Sequence, residues 1–369
     1  MVRYMVLPAG LLFGSGLCAL VYQMVWLREF RFVFGASTLS SAAVLSVFLG
    51  GLGAGGFWFG RWVDRQRRPL ALYAYLELLI AAAAALTPLL IWLAREFYIA
   101  LGGVQVLGSA GATLIRLVLT AAVLAVPTFL MGGTLPAAAR AVGLDEDATR
   151  RRPAILYGIN TLGAVTGALL ATFALLEHLG ASATLWIACA ANAVVGGCAL
   201  WVARAFPQIF DKPIDDTPQA TAPAAGQGAE SSGPRRMLIF TTAAVAGLAF
   251  LLMELVWYRM LGPLLGGTTY TFGLILAAVL LGIGIGGNVY AFWGRRRPPA
   301  LSGLALTCAL EALCIAIPFA LGDQLAVLAG DLRQWQALGF AGLVLSWSVV
   351  VGIVVLPTAI VAGYQFPLL

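Results

Sequence analysis

Ten runs of apolar residues, each long enough to cross a lipid bilayer, dominate this sequence. A helix needs about 20 such residues to span the hydrocarbon core. The runs fall near residues 6–27, 38–60, 70–94, 113–139, 154–176, 182–203, 237–261, 268–293, 300–321 and 338–362. Lipid offers backbone N–H and C=O groups no partners, so each run must satisfy its own as a helix. An all-α polytopic membrane protein is therefore expected. Composition agrees: 61% of residues are hydrophobic and 10% charged, against roughly half and a quarter in soluble folds. Pro88, Pro127, Pro318 and Pro357 lie within these runs and are expected to kink their helices or end them early. The first run follows Arg3 and reaches Trp26, which reads as a retained helix and not a cleaved export signal.

Basic residues set the expected orientation. Of the 22 lysines and arginines, the side reached by the odd-numbered loops receives only Arg28, Arg31, Arg95, Arg116, Arg259 and Arg333. The rest collect at the amino terminus, around Arg61 to Arg68, Arg140 to Arg152, Arg204 to Arg236 and Arg295 to Arg297. The amino terminus and the middle loop are thus expected in the cytoplasm. The net charge of +6 is scattered in short clusters, which argues against nucleic acid as a partner. The five cysteines lie in apolar stretches with no CxxC, and His178 is the one histidine. No disulfide framework, metal site, cofactor loop or catalytic site is indicated.

The chain repeats itself. VYQMVWLREF at Val21 to Phe30 recurs as LMELVWYRML at Leu252 to Leu261, a shift of 231 that pairs Trp26 with Trp257 and Arg28 with Arg259. The same shift carries Gly35 onto Gly266, Thr38 onto Thr269, and Gly51 to Gly56 onto Gly282 to Gly287. PTFLMGGTLP (Pro127 to Pro136) answers PTAIVAGYQFP (Pro357 to Pro367). Three parts are read: a first repeat of six helices at 1–204, a flexible cytoplasmic linker rich in Pro, Ala, Gly and Gln at 205–236, and a second repeat of four helices at 237–369. Six spans before the linker bring the second copy in from the same face as the first. The repeats are then related by an axis along the membrane normal, as in the two halves of major facilitator transporters. The second copy reads as incomplete, with the last pair of helices missing.

Gly51, Gly53 and Gly56, like Gly282, Gly284 and Gly287, fit GxGxxG. A dinucleotide site needs a strand, a tight turn and a helix start at that place, whereas both runs lie inside apolar spans. Close helix packing through small residues explains them better. The loop Gly60 to Arg68 (GRWVDRQRR) resembles the loop after the second helix of major facilitator transporters. Asp64, Arg65 and Arg68 could form a conformational latch there, or serve only as positive-inside anchors.

Ionisable groups inside spans are costly and point to function. Glu77, Glu254 and Glu311 qualify, with Gln23 at the place matching Glu254. Trp257 is one turn beyond Glu254, and Trp26 flanks Gln23 similarly. A carboxylate among aromatic faces suits a small organic cation. A structural account competes: Glu254 could pair with Arg259 or Arg28, and the tryptophans could be interface anchors.

FGSGLCALVYQMVWLREF, the glycine-rich second span ending in GRWVDRQRRP, MGGTLPAAAR and YGINTLGAVTGALLATFALLEHLG together resemble the membrane region of bacterial fused major facilitator/spermidine synthase proteins. That resemblance implies a multi-pass protein of the bacterial inner membrane that transports or channels a small solute such as a polyamine. It also implies an alternative, in which the chain anchors an aminopropyltransferase domain. No residues of such a catalytic domain are present, and Glu177-His178 departs from the family pattern. A third reading is a structural subunit packing partner membrane helices through its glycine faces.

Overall fold

The computed structural model describes residues 2–35, 38–142, 151–211, 233–267, 269–293 and 301–365. The described residues form helices α1 (Val2–Phe34), α2 (Thr38–Val63), α3 (Pro69–Ala100), α4 (Gly103–Gly132), α5 (Thr134–Val142) and α6 (Arg151–Leu170). A π-helical turn (Ala171–Leu175) leads from α6 into α7 (Leu176–His178), followed by α8 (Gly180–Ala205) and α9 (Pro207–Phe210). The chain resumes as α10 (Gly233–Leu265), α11 (Thr269–Trp293), α12 (Leu301–Leu332), a 3₁₀ turn (Arg333–Leu338) and α13 (Phe340–Gln365). Ten of these segments are long and apolar enough to cross a membrane. The all-α, multi-span fold expected from the apolar runs is therefore present.

Several helices outrun their apolar cores. α3 continues through Arg95 and Glu96 to Ala100, and α4 starts at Gly103 instead of near residue 113. Their charged or polar ends extend the helix beyond the hydrocarbon at no desolvation cost. None of the four prolines ends its helix: Pro88, Pro127, Pro318 and Pro357 all lie inside α3, α4, α12 and α13. The backbone departs from helical geometry instead at Gly108 in α4 and Gly322 in α12. Neighbouring groups in a bundle can re-satisfy a carbonyl freed by proline.

Chain past 204 is not all linker. α9 follows at once, Phe210 is buried against the first lobe, and Asp211 pairs with Arg68 at 3.4 Å. Gly233 to Arg236 already belong to α10. The middle of the expected linker, residues 212–232, lies outside the described residues, as does the basic run Arg295 to Arg297.

The repeat is legible atom by atom. Gly35 and Gly266, which join α1 to α2 and α10 to α11, have φ of 88° and 90°, a conformation that glycine adopts without the Cβ penalty. α2 lies against α4 through glycines so close to the facing backbone that a Cβ would collide. Gly55 meets the carbonyl of Phe129, and Gly132 that of Leu52. Gly286 meets the carbonyl of Ile360, and Gly363 that of Ile283, so α11 and α13 cross as α2 and α4 do. All four equivalences use the shift of 231. Aligning Pro127 with Pro357 is therefore off by one residue, because the prolines are not at the contact. Within the first lobe α1 also packs on α6, with Gly163 and Gly167 against the carbonyls of Phe13 and Leu17, and α3 packs on α8. The lobes join chiefly where α6 lies along α11. Leu306, Leu310, Leu313 and Ile317 stay exposed along one stripe of α12, the face such a helix turns to lipid.

These glycines make a test. Gly55→Ala and Gly286→Ala should each cost about 1–3 kcal/mol through overpacking, read as lower Tm of the detergent-solubilised protein. Gly53→Ala, in the same glycine run but with nothing within 4 Å of its added methyl, should leave Tm unchanged or slightly raised. Equal losses at all three positions would contradict the crossing described.

Candidate functional site

Two places bring polar groups together inside the apolar body. The first is a seam within the first lobe. Ser15, Cys18 and Tyr22 recur at helical spacing on α1, Tyr73 and Glu77 are one turn apart on α3, and Cys189 and Asn192 are one turn apart on α8. Spacings of three and four residues place side chains on one helix face, and the three faces converge. Glu77 is 0% exposed, with Ser15, Tyr73 and Asn192 as the polar side chains around it. Neither carboxylate oxygen has a hydrogen-bond partner. Two of the neighbours donate elsewhere: Tyr73 Oη to the carbonyl of Leu11 at 3.0 Å, and Asn192 Nδ2 to the backbone carbonyl of Glu77 at 2.6 Å.

The second place is a cavity of about 540 Å³ where the lobes meet, lined by Arg28, Arg31 and Phe32 of α1, Thr172 of the π turn, Leu176 and Glu177 of α7, and Thr269 and Tyr270 of α11. Arg28 Nη1 donates to the carbonyl of Leu176 at 2.8 Å, and Arg31 Nη2 donates to Tyr258 Oη of α10 at 3.2 Å. Phe173 stacks on Tyr270, and Phe340 closes on both.

The residues singled out from sequence are dispersed. Glu254, on α10, is 4% exposed and has one oxygen with no partner. Neither Arg259 nor Arg28 pairs with it, since among the described residues the ion pair present is Arg68 with Asp211. Glu311, on α12, is half-exposed. Gln23 is buried. Trp26 and Trp257 are core residues of separate lobes and not interface anchors. Trp26 Nε1 donates to Thr87 Oγ1 at 3.0 Å, and that hydroxyl donates onward to the carbonyl of Ala84. Neither Glu77 nor any of Glu254, Glu311, Gln23, Trp26 and Trp257 lines the lobe-junction cavity. The latch residues lie at the opposite end of the bundle. There the backbone carbonyl of Asp64 accepts from Arg140 Nη2 at 3.3 Å, and the exposed Arg68 pairs with Asp211.

Sequence reading passed over Ser15, Tyr73, Asn192 and Thr172. Tyr73 and Glu77 one turn apart in an otherwise apolar helix, and a lone Asn192 in an apolar span, were the available signals. Thr172 carries none, because its role comes from a π turn that brings it to the cavity.

No protein-family model matches the chain, and no curated protein matches it. Among solved structures, the chain is similar to a bacterial homologue of the human lysosomal transporter Spinster in an inward-facing, unoccupied conformation. The TM-score is 0.50 at 14% identity, over 99% of this chain and 74% of that one. An auto-inhibited peptide transporter of the POT family aligns at a TM-score of 0.37 and 14% identity, over 98% of this chain and 86% of that one. The first likeness shows a multi-span helical fold shared with that transporter homologue.

The Trp26–Thr87 bond offers a check on the first lobe. Thr87→Val removes the acceptor and orphans a buried indole N–H, at a cost of about 1–3 kcal/mol. Thr87→Ser should restore most of it. A Val variant as stable as the parent, by thermal unfolding in detergent, would mean the bond is absent.

Proposed function

We propose that this chain is a two-lobed carrier that moves a small cationic solute, of the polyamine class, across a bacterial inner membrane. The observation that carries the reading is the state of Glu77 and Glu254. Each is buried in a membrane span, one per lobe, and among the described residues no cationic side chain pairs with either. A carboxylate at such depth requires a positive partner, and a transported cation or a proton supplies it. Gln23 matches Glu254 across the repeat, and Trp26 and Trp257 hold the walls behind them as buried packing. Glu311, half-exposed on α12, is a third candidate. Rocking of the lobes along the α6–α11 contact would alternate access.

The boundaries proposed are 1–204 and 237–369 for the lobes and 205–236 for the connection, with the amino terminus cytoplasmic as the arginine distribution favours. Asp64, Arg65 and Arg68 then form a cytoplasmic latch. Its support is the Arg140 bond to Asp64 and the Arg68 pair with Asp211, which tie the loop to the ends of α5 and α9. The resemblance to spermidine synthase-linked membrane proteins favours a polyamine as the solute and leaves anchoring of an aminopropyltransferase as the alternative role.

Uptake of labelled spermidine into proteoliposomes containing the purified chain tests this. Saturable uptake should fall about tenfold or more in Glu77→Gln and Glu254→Gln, the loss expected when a charge-assisted contact goes. Uptake that neither substitution changes removes the site assignment. No uptake of spermidine, putrescine or a monoamine by a monodisperse sample removes the cation reading.

A further inference from the structure

We propose that the lobe-junction cavity is a separate binding site for a small zwitterion, with its oxyanion, a carboxylate or phosphate, held between Arg28 and Arg31 and its amine facing Glu177. The inference does not use Glu77 or Glu254 and stands apart from the cation reading above. The cavity, at about 540 Å³, lies within the range of small-ligand pockets, and its walls come from both lobes.

Arg28 and Arg31 are three residues apart on α1, so their side chains share a face. Both are half-buried, and each is anchored by one bond: Arg28 to the carbonyl of Leu176, Arg31 to Tyr258 Oη. Packing fixes them further, with Arg28 over the ring of Phe32 and Arg31 over that of Tyr258, both at 5.9 Å. A guanidinium has five N–H donors, so most of the donors on each remain for a ligand. Two anchored forks on one wall suit an oxyanion.

Thr172 adds a polar group to the same wall. It is 2% exposed, lines the cavity, and its hydroxyl has no hydrogen-bond partner. A threonine in a membrane helix usually bonds its own backbone one turn back, as Thr161, Thr166 and Thr184 do here. Thr172 sits in the π turn, where the backbone register changes, pressed against Gly273 of α11. Such turns occur often at functional sites. Glu177 decides between a simple anion and a zwitterion. It faces the same cavity beside Tyr270 and makes no ion pair with Arg28 or Arg31. A ligand bearing only negative charge would meet its carboxylate, whereas an amine would be met by it.

The test uses the purified full chain and O-phosphoethanolamine as a soluble probe, with inorganic phosphate for comparison. In detergent free of lipid, phosphoethanolamine should raise Tm saturably. Arg31→Gln and Thr172→Val should weaken that binding, the arginine variant by about tenfold or more. Glu177→Gln should weaken phosphoethanolamine and strengthen inorganic phosphate. Because Arg28 also holds α7, Arg31→Lys is the companion variant: it keeps the charge and loses the fork, and should bind less tightly while eluting as the parent does. If the occupant is a lipid headgroup, phosphatidylethanolamine will co-purify in stoichiometric amount with the parent, not with Arg31→Gln, and will block the soluble probe. Binding equal in all variants, or neither probe binding nor lipid retained by folded protein, overturns the site.

Discussion

The whole architecture depends on backbones that touch. In lipid there is no hydrophobic gain from bringing two apolar helices together, so association relies on close packing. Here the closest packing occurs where a glycine on one helix meets a carbonyl on the next: Gly55 with Phe129, Gly286 with Ile360, Gly163 with Phe13, Gly167 with Leu17. These crossings fix α2 on α4, α6 on α1 and α11 on α13, and so determine which faces of α1 and α11 are left to form the cavity between lobes. A methyl group at Gly163, Gly167 or Gly286 would push apart helices that carry or lead into Arg28, Thr172 and Thr269.

The number of spans and the duplication were legible in the sequence because each follows from a strong, local regularity. Apolar length marks a span, and a constant shift of 231 marks a copied unit. The glycine runs were legible too, since GxxxG spacing inside an apolar stretch has one economical use. Legibility failed where the answer depends on which face a helix turns inward. Trp26 and Trp257 read equally well as interface anchors, and only tertiary packing shows both as core residues. The pairing of Pro127 with Pro357 misled by one residue because proline is conspicuous in text, while the contact itself is made by Phe129 and Ile360. Arg28 was visible as a repeat mate of Arg259. Its partner, the Leu176 carbonyl, is 148 residues away, at a helix end where carbonyls lack intrahelical partners.

Charge is distributed through the bundle in two distinct ways. Glu77 and Glu254 are carboxylates that pair with no cation among the described residues, each inside one lobe. Arg28 and Arg31 are cations whose protein contacts are carbonyl, hydroxyl and ring faces and not carboxylates in ion-pair contact. The two sets are separate in space, with carboxylates held within the lobes and arginines at their junction.

That junction couples binding to lobe arrangement. Arg28, Arg31, Thr172 and Glu177 belong to the first lobe, and Thr269 and Tyr270 to the second, while Arg31 already reaches across to Tyr258. A ligand shifts a two-state equilibrium only by the difference in its affinity for the two states. An occupant touching both walls makes more contacts with the lobes together than apart at this end, and so favours that arrangement. One touching only Arg28 and Thr172 would bind both states alike and shift nothing. The Arg31–Tyr258 bond adds a competition: an oxyanion that draws Arg31 away from Tyr258 weakens the existing bridge while supplying another. The direction of the shift is therefore set by whether the ligand also engages Thr269 and Tyr270, and that is decided by the wall of α11 and not by the arginines.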